Sequence, residues 1–262
     1  MADPPPGVLR AFGAPGPARP LPGGQGTSWR AGDLVLKPES GPVHEWLGEV
    51  LDGLSGEGFR VAAPVRTGDG AWSHAGWSAT RWVEGEPPDY TAEQTWLGII
   101  EAGRAFHRAL AHLRRPGFTG TRQDWWARAD RVAWQELAVP LRPEFTEVAA
   151  RLRGLAGPLG PPQVVHCDLS GNVLFAPGLP PAVIDVSPYW RPPAYAEGVV
   201  VADALCWHGM PPSLAAAAGV PVAAVARALL FRLATTSERG APDAEVRDEA
   251  RRYRLAAEAI GA

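Results

Sequence analysis

Asparagine occurs once in these 262 residues, as Asn172, and lysine once, as Lys37, although lysine is ordinarily among the commoner residues. Lys and Arg together number 25 against 28 Asp and Glu, a formal net charge of −3, so almost all positive charge is arginine. That balance offers neither the basic footprint of a nucleic-acid binder nor a polybasic run for a membrane surface, and neither partner is expected. Cys167 and Cys206 are the only cysteines. Two thiols so far apart make neither a disulfide framework nor a zinc site, and they fit a reducing, cytoplasmic setting. Met1 to Pro22 is rich in Pro and Gly and lacks the basic-then-apolar order of a secretory signal, so secretion is not indicated. The longest apolar stretch, Leu214 to Ala226, is interrupted by Gly219 and Pro221 and closed by Arg227. It falls short of a membrane span and reads as a buried helix.

What is present is the composition of a globular protein, 46% hydrophobic and 20% charged. The length suits one large domain or two lobes around a substantial core. A bias toward Arg, Ala, Gly and Pro accounts for the scarcity of lysine and asparagine, but not for where the single copies sit.

Beyond the loose start, Pro20 to Arg30 is a glycine-rich turn running into a strand, Ala31-Gly32-Asp33 reverses the chain, and Leu34 to Lys37 is an apolar strand ending in the sole lysine. Such a turn lets backbone N–H groups approach phosphate, and a lysine on the next strand reaches the same oxygens; glycine-rich loops also serve as plain turns. Val43, Trp46, Leu47, Val50, Leu51 and Leu54 recur at helical spacing, with Glu45 and Glu49 along one edge. Either glutamate is placed to meet Lys37 or to sit on a solvated acidic edge. Arg60–Thr67 and Gly76–Val83 read as two further strands that complete a small antiparallel sheet with one helix. Glu84 to Pro88 breaks the pattern, giving lobes of 1–84 and 85–262. The second lobe is expected to be mainly helical, with helices over Tyr90–Leu113, Gln123–Leu137, Glu144–Leu155, Tyr195–Trp207, Val222–Ser237 and Pro242–Ile260.

Between these helices lies Val164 to Val186, in which two apolar runs flank a Pro/Gly turn and predict a short hairpin. The hairpin brings Asp168, Asn172 and Asp185 to one end of a small sheet. Two carboxylates and an amide oxygen suit Mg²⁺, a hard cation that takes oxygen ligands. Asp, Ser, Gly and Asn are also ordinary turn residues, and the hairpin alone does not separate the two readings.

Taken together, the glycine-rich hairpin with Lys37, the strand ending in Glu84-Gly85, and His166-Cys167-Asp168 followed by Asn172 and Ile184-Asp185 resemble the aminoglycoside phosphotransferase/choline kinase branch of the protein-kinase-like fold. The likeness is closest to a group of actinobacterial phosphotransferase-like proteins. It implies an α+β, bilobal fold with a small antiparallel-sheet N-lobe and a larger helical C-lobe, using ATP and Mg²⁺. In that likeness Gly23, Gly24, Gln25, Gly26, Thr27 and Ser28 would cover the nucleotide phosphates, and Lys37, paired with Glu45 or Glu49, would bind them. Arg81, Trp82 and Val83 would form the adenine hinge. Asp168 resembles the catalytic base, His166 the residue that shapes the catalytic loop, and Asn172 and Asp185 the Mg²⁺ ligands. Asp203 resembles a structural aspartate capping a following helix. The single lysine and single asparagine thus fall where a point charge at phosphate and a neutral metal ligand are needed, roles that arginine and aspartate fill poorly. The sequence departs from the family in a loop one residue shorter between Asp168 and Asn172, in Cys167, and in the absence of a catalytic-loop lysine.

The acceptor would be a hydroxyl of a small molecule. Asp124, Trp125, Trp126, Asp130 and Trp134 on one helix and Tyr189-Trp190-Arg191 after Asp185 are candidates for its cleft, while Trp134 and Trp207 also read as core. From Ala204 to Ala262, seven Arg face six Asp plus Glu, without the acidic face a polycationic aminoglycoside would call for. A metabolite or natural product fits better. The alternative in a different class is a non-catalytic nucleotide-binding module. Oligomeric state is not legible from the sequence.

Overall fold

The computed structural model describes residues 3–22 and 26–262, in two compact units: Met1–Pro87 with Gly171–Val186, and Pro88–Ser170 with Ser187–Ala262. In the first unit the chain runs α1 (Pro6–Ala11), β1 (Arg19–Pro20), β2 (Trp29–Ala31), β3 (Leu34–Lys37), α2 (Pro42–Leu51), β4 (Arg60–Val61), β5 (Ser73–His74) and β6 (Trp77–Arg81). The segment expected to be loose thus begins with a helix. Pro6 suits its first turn, where a missing N–H costs nothing and φ is already helical. Val8 and Phe12 bury against Trp29, Leu34, Leu36 and Trp77, the inward set of the alternating strands.

The main sheet is antiparallel in the order β1-β2-β3-β6-β5. Ala75 and Gly76 join β5 to β6 with φ of 48° and 82°, the doubly left-handed backbone that a two-residue hairpin turn requires. Of the strand expected over Arg60–Thr67, Ala63 to Val65 bridges β6 of this sheet, with Val65 N–H donating to Ala79 and Arg81 N–H to Ala63. The first residues of that expected strand form β4, which pairs in parallel with a strand more than a hundred residues downstream.

The chain continues in the second unit with α3 (Glu93–Leu110), α4 (Trp125–Ala133), α5 (Thr146–Leu155) and β7 (Gln163–His166). It returns to the first as a hairpin, β8 (Val173–Ala176) and β9 (Leu179–Val183), turning at Pro177-Gly178. β9 lies between β8 and β4. Arg60 secures the arrangement, donating to the carbonyls of Pro180 (2.8 Å) and Glu84 (2.9 Å). The second unit resumes with β10 (Pro188–Arg191), antiparallel to β7, then α6 (Pro193–Trp207), α7 (Ser213–Ala217), α8 (Val222–Glu238) and α9 (Asp243–Ala259). The mixed α/β architecture, with a small antiparallel sheet and a larger helical part, is the expected fold class.

The buried helix expected over Leu214–Ala226 is two helices. Gly219, at φ 67°, ends the first and Pro221 precedes the second. α8 is buried along nearly its whole length and packs against α4, α5, α6 and α9. It is the axis of the helical unit. Among the described residues no helix is long and apolar enough to cross a membrane.

The approach of α6 to α8 depends on Gly198, where an added Cβ would lie 2.5 Å from the Ala224 carbonyl oxygen. Backbone cannot yield as a side-chain tip can. Gly198→Ala is expected to destabilise the protein by about 1–3 kcal/mol. Gly154→Ala, on α5 with nothing near the new methyl, should stabilise it by about 0.5–1 kcal/mol. Urea unfolding of the pair checks both signs.

Candidate functional site

β7 delivers His166 and Asp168. Both flanking residues of β7 and β10 are in register, Pro188 opposite His166 and Tyr189 opposite Val165. His166 is fully buried, and its Nδ1 accepts from the backbone N–H of Asp168 (3.3 Å) and of Ser187 (3.2 Å). Accepting two N–H groups at Nδ1 assigns the proton of the neutral ring to Nε2. The His166 N–H donates to His107 Nε2 on α3 at 2.9 Å. Cys167 N–H donates to the Ser187 carbonyl at 3.3 Å. One imidazole therefore ties the start of the Asp168 loop to Ser187, the residue just before β10. Burial pushes the Cys167 thiol well up, so it stays protonated and is no nucleophile.

Asp168 carries a partner that sequence reasoning missed. Arg232, buried on α8, places Nη2 3.3 Å from Asp168 Oδ1 and grips Asp203 with Nε (2.7 Å) and Nη2 (2.6 Å). Burial opposes the guanidinium's charge, yet the Asp203 carboxylate, aided by Asp168, more than restores it and the pKa is raised. Asp203 lies inside α6 and caps no following helix. It is the counter-ion of Arg232. Arginine in the middle of an otherwise apolar α8 was the available signal, since a charged residue there needs a buried partner.

In the first unit, the Ile184 N–H donates to the Asn172 carbonyl at 3.0 Å, so Asn172 and Asp185 lie at one end of the β8–β9 hairpin, as expected. Asp185 has φ 51°, an uncommon backbone region that Asp tolerates better than bulkier residues. Lys37 Nζ lies 2.5 Å from Asp185 Oδ1. This corrects the expected pairing of Lys37 with a helix glutamate. Glu45 accepts instead from the Ser73 hydroxyl (2.7 Å), and Glu49 from the Trp72 indole N–H (2.7 Å) and Arg66 (3.3 Å). Both α2 carboxylates are directed to β5 and its approach, which leaves Asp185 as the anion at the end of β3. Glu39 is paired with His44 at 3.0 Å.

Of the glycine-rich turn, Gly23, Gly24 and Gln25 lie outside the described residues. Gly26 follows at φ 67°, and Ser28 closes the turn by accepting the Leu21 N–H at 2.9 Å. Thr27 lies between them, half-buried. At the expected hinge, Arg81 N–H donates to Ala63 (2.7 Å) and Trp82 N–H to Asp33 (2.7 Å). Among the described residues, Val83 is the one of the three whose N–H has no backbone acceptor. The Arg81 side chain is held by Asp33, and Arg30 lies over the half-exposed Trp82 ring at 3.9 Å.

The α4 candidates divide. Asp124 caps α4, accepting from Ala127 N–H at 2.9 Å, and is held by Arg122. Asp130 is buried against Arg191. Trp125 and Trp126 pack on each other, and Trp126 also on Phe231. Trp134 is half-buried, with Arg227 and Arg191 over its ring and Tyr195 edge-on. Trp207 meets Tyr253 edge-on yet keeps 37% of its surface exposed.

A model of the Phosphotransferase enzyme family (APH) matches residues 20–187. Solved structures similar to the chain include an aminoglycoside phosphotransferase from Alicyclobacillus acidocaldarius, 18% identical over 99% of this chain and 94% of the other, with a TM-score of 0.67. The microcompartment-associated aminopropanol kinase is 17% identical over 93% and 90%, TM-score 0.62. A thermostable mutant of aminoglycoside phosphotransferase APH(4)-Ia, in a ternary complex with ADP and hygromycin B, is 15% identical over 98% of both chains, TM-score 0.60. No curated protein sequence matches.

Arg232→Met is expected to cost about 3–5 kcal/mol in urea unfolding, because it leaves Asp203 buried and uncompensated. Adding Asp203→Asn should recover part of that loss. Burial lowers His107 to a pKa of about 3, with neighbouring His166 adding to the effect. The unfolded chain binds this proton near pH 6.5 and the folded one does not, so stability is full above 6.5 and falls toward pH 3, by at most about 1.4 kcal/mol per pH unit. His107→Gln, which keeps an acceptor for the His166 N–H, should flatten that part of the stability-against-pH curve.

Proposed function

Because the chain belongs to the phosphotransferase enzyme family, we propose that it is an ATP- and Mg²⁺-dependent kinase that transfers the γ-phosphoryl group to a hydroxyl of a small molecule. The observation that carries the reading is the Lys37–Asp185 pair at the end of the hairpin that also presents Asn172. Phosphoryl transfer asks mainly for positioning and charge stabilisation, and these are the residue types it uses.

The donor set fits the metal. One carboxylate, Asp185, and one amide oxygen, Asn172, suit Mg²⁺, which keeps waters and shares its remaining positions with phosphate oxygens. The Lys37 ammonium beside Asp185 is a cation standing where that carboxylate would otherwise meet one. Bound Mg²⁺ would supply neutralisation of the developing phosphate charge. Lys37, long and flexible, would turn its point charge to phosphate oxygens, and Gly23 to Ser28 would offer backbone N–H groups to them. Val83 N–H, which has no backbone acceptor among the described residues, would donate to adenine at the hinge.

Asp168 would accept the proton of the acceptor hydroxyl as its oxygen bonds to the γ-phosphorus, while the bond to the bridging β,γ-oxygen breaks and ADP leaves. His166 would hold Asp168 in place through the backbone, and Arg232 would fix the carboxylate's direction. A cation at Asp168 also supplies charge near a loop without a lysine. An aminoglycoside acceptor finds no acidic surface in the last two helices, and a metabolite or natural product remains the better acceptor.

ADP release measured over a panel of hydroxylated metabolites should identify a substrate. Asp168→Asn should lower kcat about 10²–10⁴-fold while ATP still binds by calorimetry. Asp185→Ala should lose Mg²⁺-dependent ATP binding. A chain that binds ATP but releases no ADP with any acceptor would instead be a nucleotide-binding module, and one that binds no ATP with Mg²⁺ would refute both.

A further inference from the structure

The second unit contains a cavity of about 220 Å³ whose wall carries Arg115, Arg122, Arg131 and Arg191 against Asp130 and Glu136. The ionic partners within it are unevenly distributed. Arg191 takes both acids: Nε and Nη2 donate to Asp130 at 3.0 and 2.6 Å, and Nη1 and Nη2 to Glu136 at 2.6 and 2.8 Å. Arg122 is held by Asp124 at 2.9 Å. Arg131 donates only to neutral acceptors, the Arg122 carbonyl (2.9 Å) and Gln123 Oε1 (3.2 Å), and Arg115 only to Thr119 Oγ1 (3.2 Å). Among the described residues neither has a carboxylate within ion-pair distance. Even with Asp124 included, four guanidiniums face three carboxylates around one concave site.

We propose that this cavity receives an anionic group, a carboxylate or a phosphate monoester, carried by the molecule that is phosphorylated. Guanidinium presents paired N–H donors in a planar fork that matches both anions, and Arg115 and Arg131 feel Glu136 through space with no carboxylate at ion-pair distance, which leaves their forks open to an anion. The volume is that of roughly seven water molecules, enough for the anion and a few attached atoms. Tyr189 and Trp190 supply apolar wall for those atoms. The location suits an acceptor. The wall segment Pro188 to Arg191 is β10, whose first residue lies opposite His166, two positions before Asp168. The strand extends on the order of 10 Å from that end, so an anion held along it leaves a hydroxyl of the same small molecule within reach of the Asp168 end. Asp130 and Glu136 do not make the site cationic-selective, because Arg191 occupies both. The inference rests on the kinase reading for the word acceptor, and on the cavity alone for the word anion.

The test separates these. Inorganic phosphate is titrated against the full-length protein by thermal shift, in wild type, Arg115→Glu/Arg131→Glu, Arg115→Lys/Arg131→Lys, and Lys37→Ala, the last to remove phosphate binding at the nucleotide side. Phosphate should raise Tm in wild type, in Lys37→Ala and, in part, in the double lysine variant, and should not in the double glutamate variant. In parallel, ADP release is followed with hydroxy acids and sugar phosphates, with neutral polyols, and with amino alcohols and aminoglycosides. Turnover should be confined to the anionic classes, and the double glutamate variant should lose about tenfold or more in kcat/KM, with partial rescue in the double lysine variant. Which of the two anionic classes is used identifies the group. Circular dichroism of each variant establishes that it is folded. Phosphate binding that ignores both double variants, or turnover of cationic acceptors alone, overturns the inference and leaves the kinase reading standing. Phosphate binding that follows the variants, with no acceptor of any class turned over, sustains the anion site and overturns the kinase reading.

Discussion

Arg232 is the point on which the helical unit turns. A guanidinium on the most buried helix can exist there only because Asp203 on α6 supplies two hydrogen bonds, and its remaining contact reaches Asp168 at 3.3 Å. Core packing and the candidate base are therefore one electrostatic object. The desolvation of Arg232 and Asp203 is costly, and the pair survives because it is bonded through two hydrogen bonds, while Asp168 stays half-exposed. Replacing Arg232 and Asp203 with apolar residues would be tolerable for packing but would leave the Asp168 carboxylate without its Arg232 contact. His166 provides the complementary restraint, acting on the backbone of the loop where Arg232 acts on the side chain.

The same logic of paired charge recurs with arginine throughout. Arg191 binds Asp130 and Glu136, Arg104 binds Glu101 and Glu197, and Arg60 satisfies two carbonyls of the hairpin region. Arginine's rigid fork suits this structural work, and a composition nearly emptied of lysine has delegated it accordingly. Lys37 stands apart because its partner, Asp185, is half-exposed, and because a single flexible ammonium can change partners more readily than a bidentate fork.

Much of this was legible in sequence where the signal was local. Periodicity gave the long helices to within a few residues, as at Val222–Glu238, and the Pro/Gly turn marked the β8–β9 hairpin. What failed needed information from elsewhere in the chain. β4 is two residues long and is defined by β9, not by its own composition. The short α1 is held by contacts of Val8 and Phe12 with the sheet, and nothing in a Pro/Gly-rich tail announces them. Glu45 and Glu49 lie at equally good spacing for Lys37, but spacing along a helix does not say which way the helix faces, and Ser73 and Trp72 take them. Arg232 was visible as a charge in an apolar run, yet its partners, in α6 and in the Asp168 loop, are distant in sequence.

The parallel pairing of β4 with β9 has a consequence for how the chain comes into being. Residues 60–61 wait for residues 182–183, so the first unit lacks a strand partner until most of the second unit's first half has left the ribosome. Pairings of such sequence separation form late and slow the search for the native state. A fragment cut after Pro87 would present β4 as an unsatisfied edge, open to other chains. The smaller unit is thus not a detachable module. Its sheet is complete only in a chain that already carries the β8–β9 hairpin, so the first unit's fold depends on residues made after most of the second unit's first half.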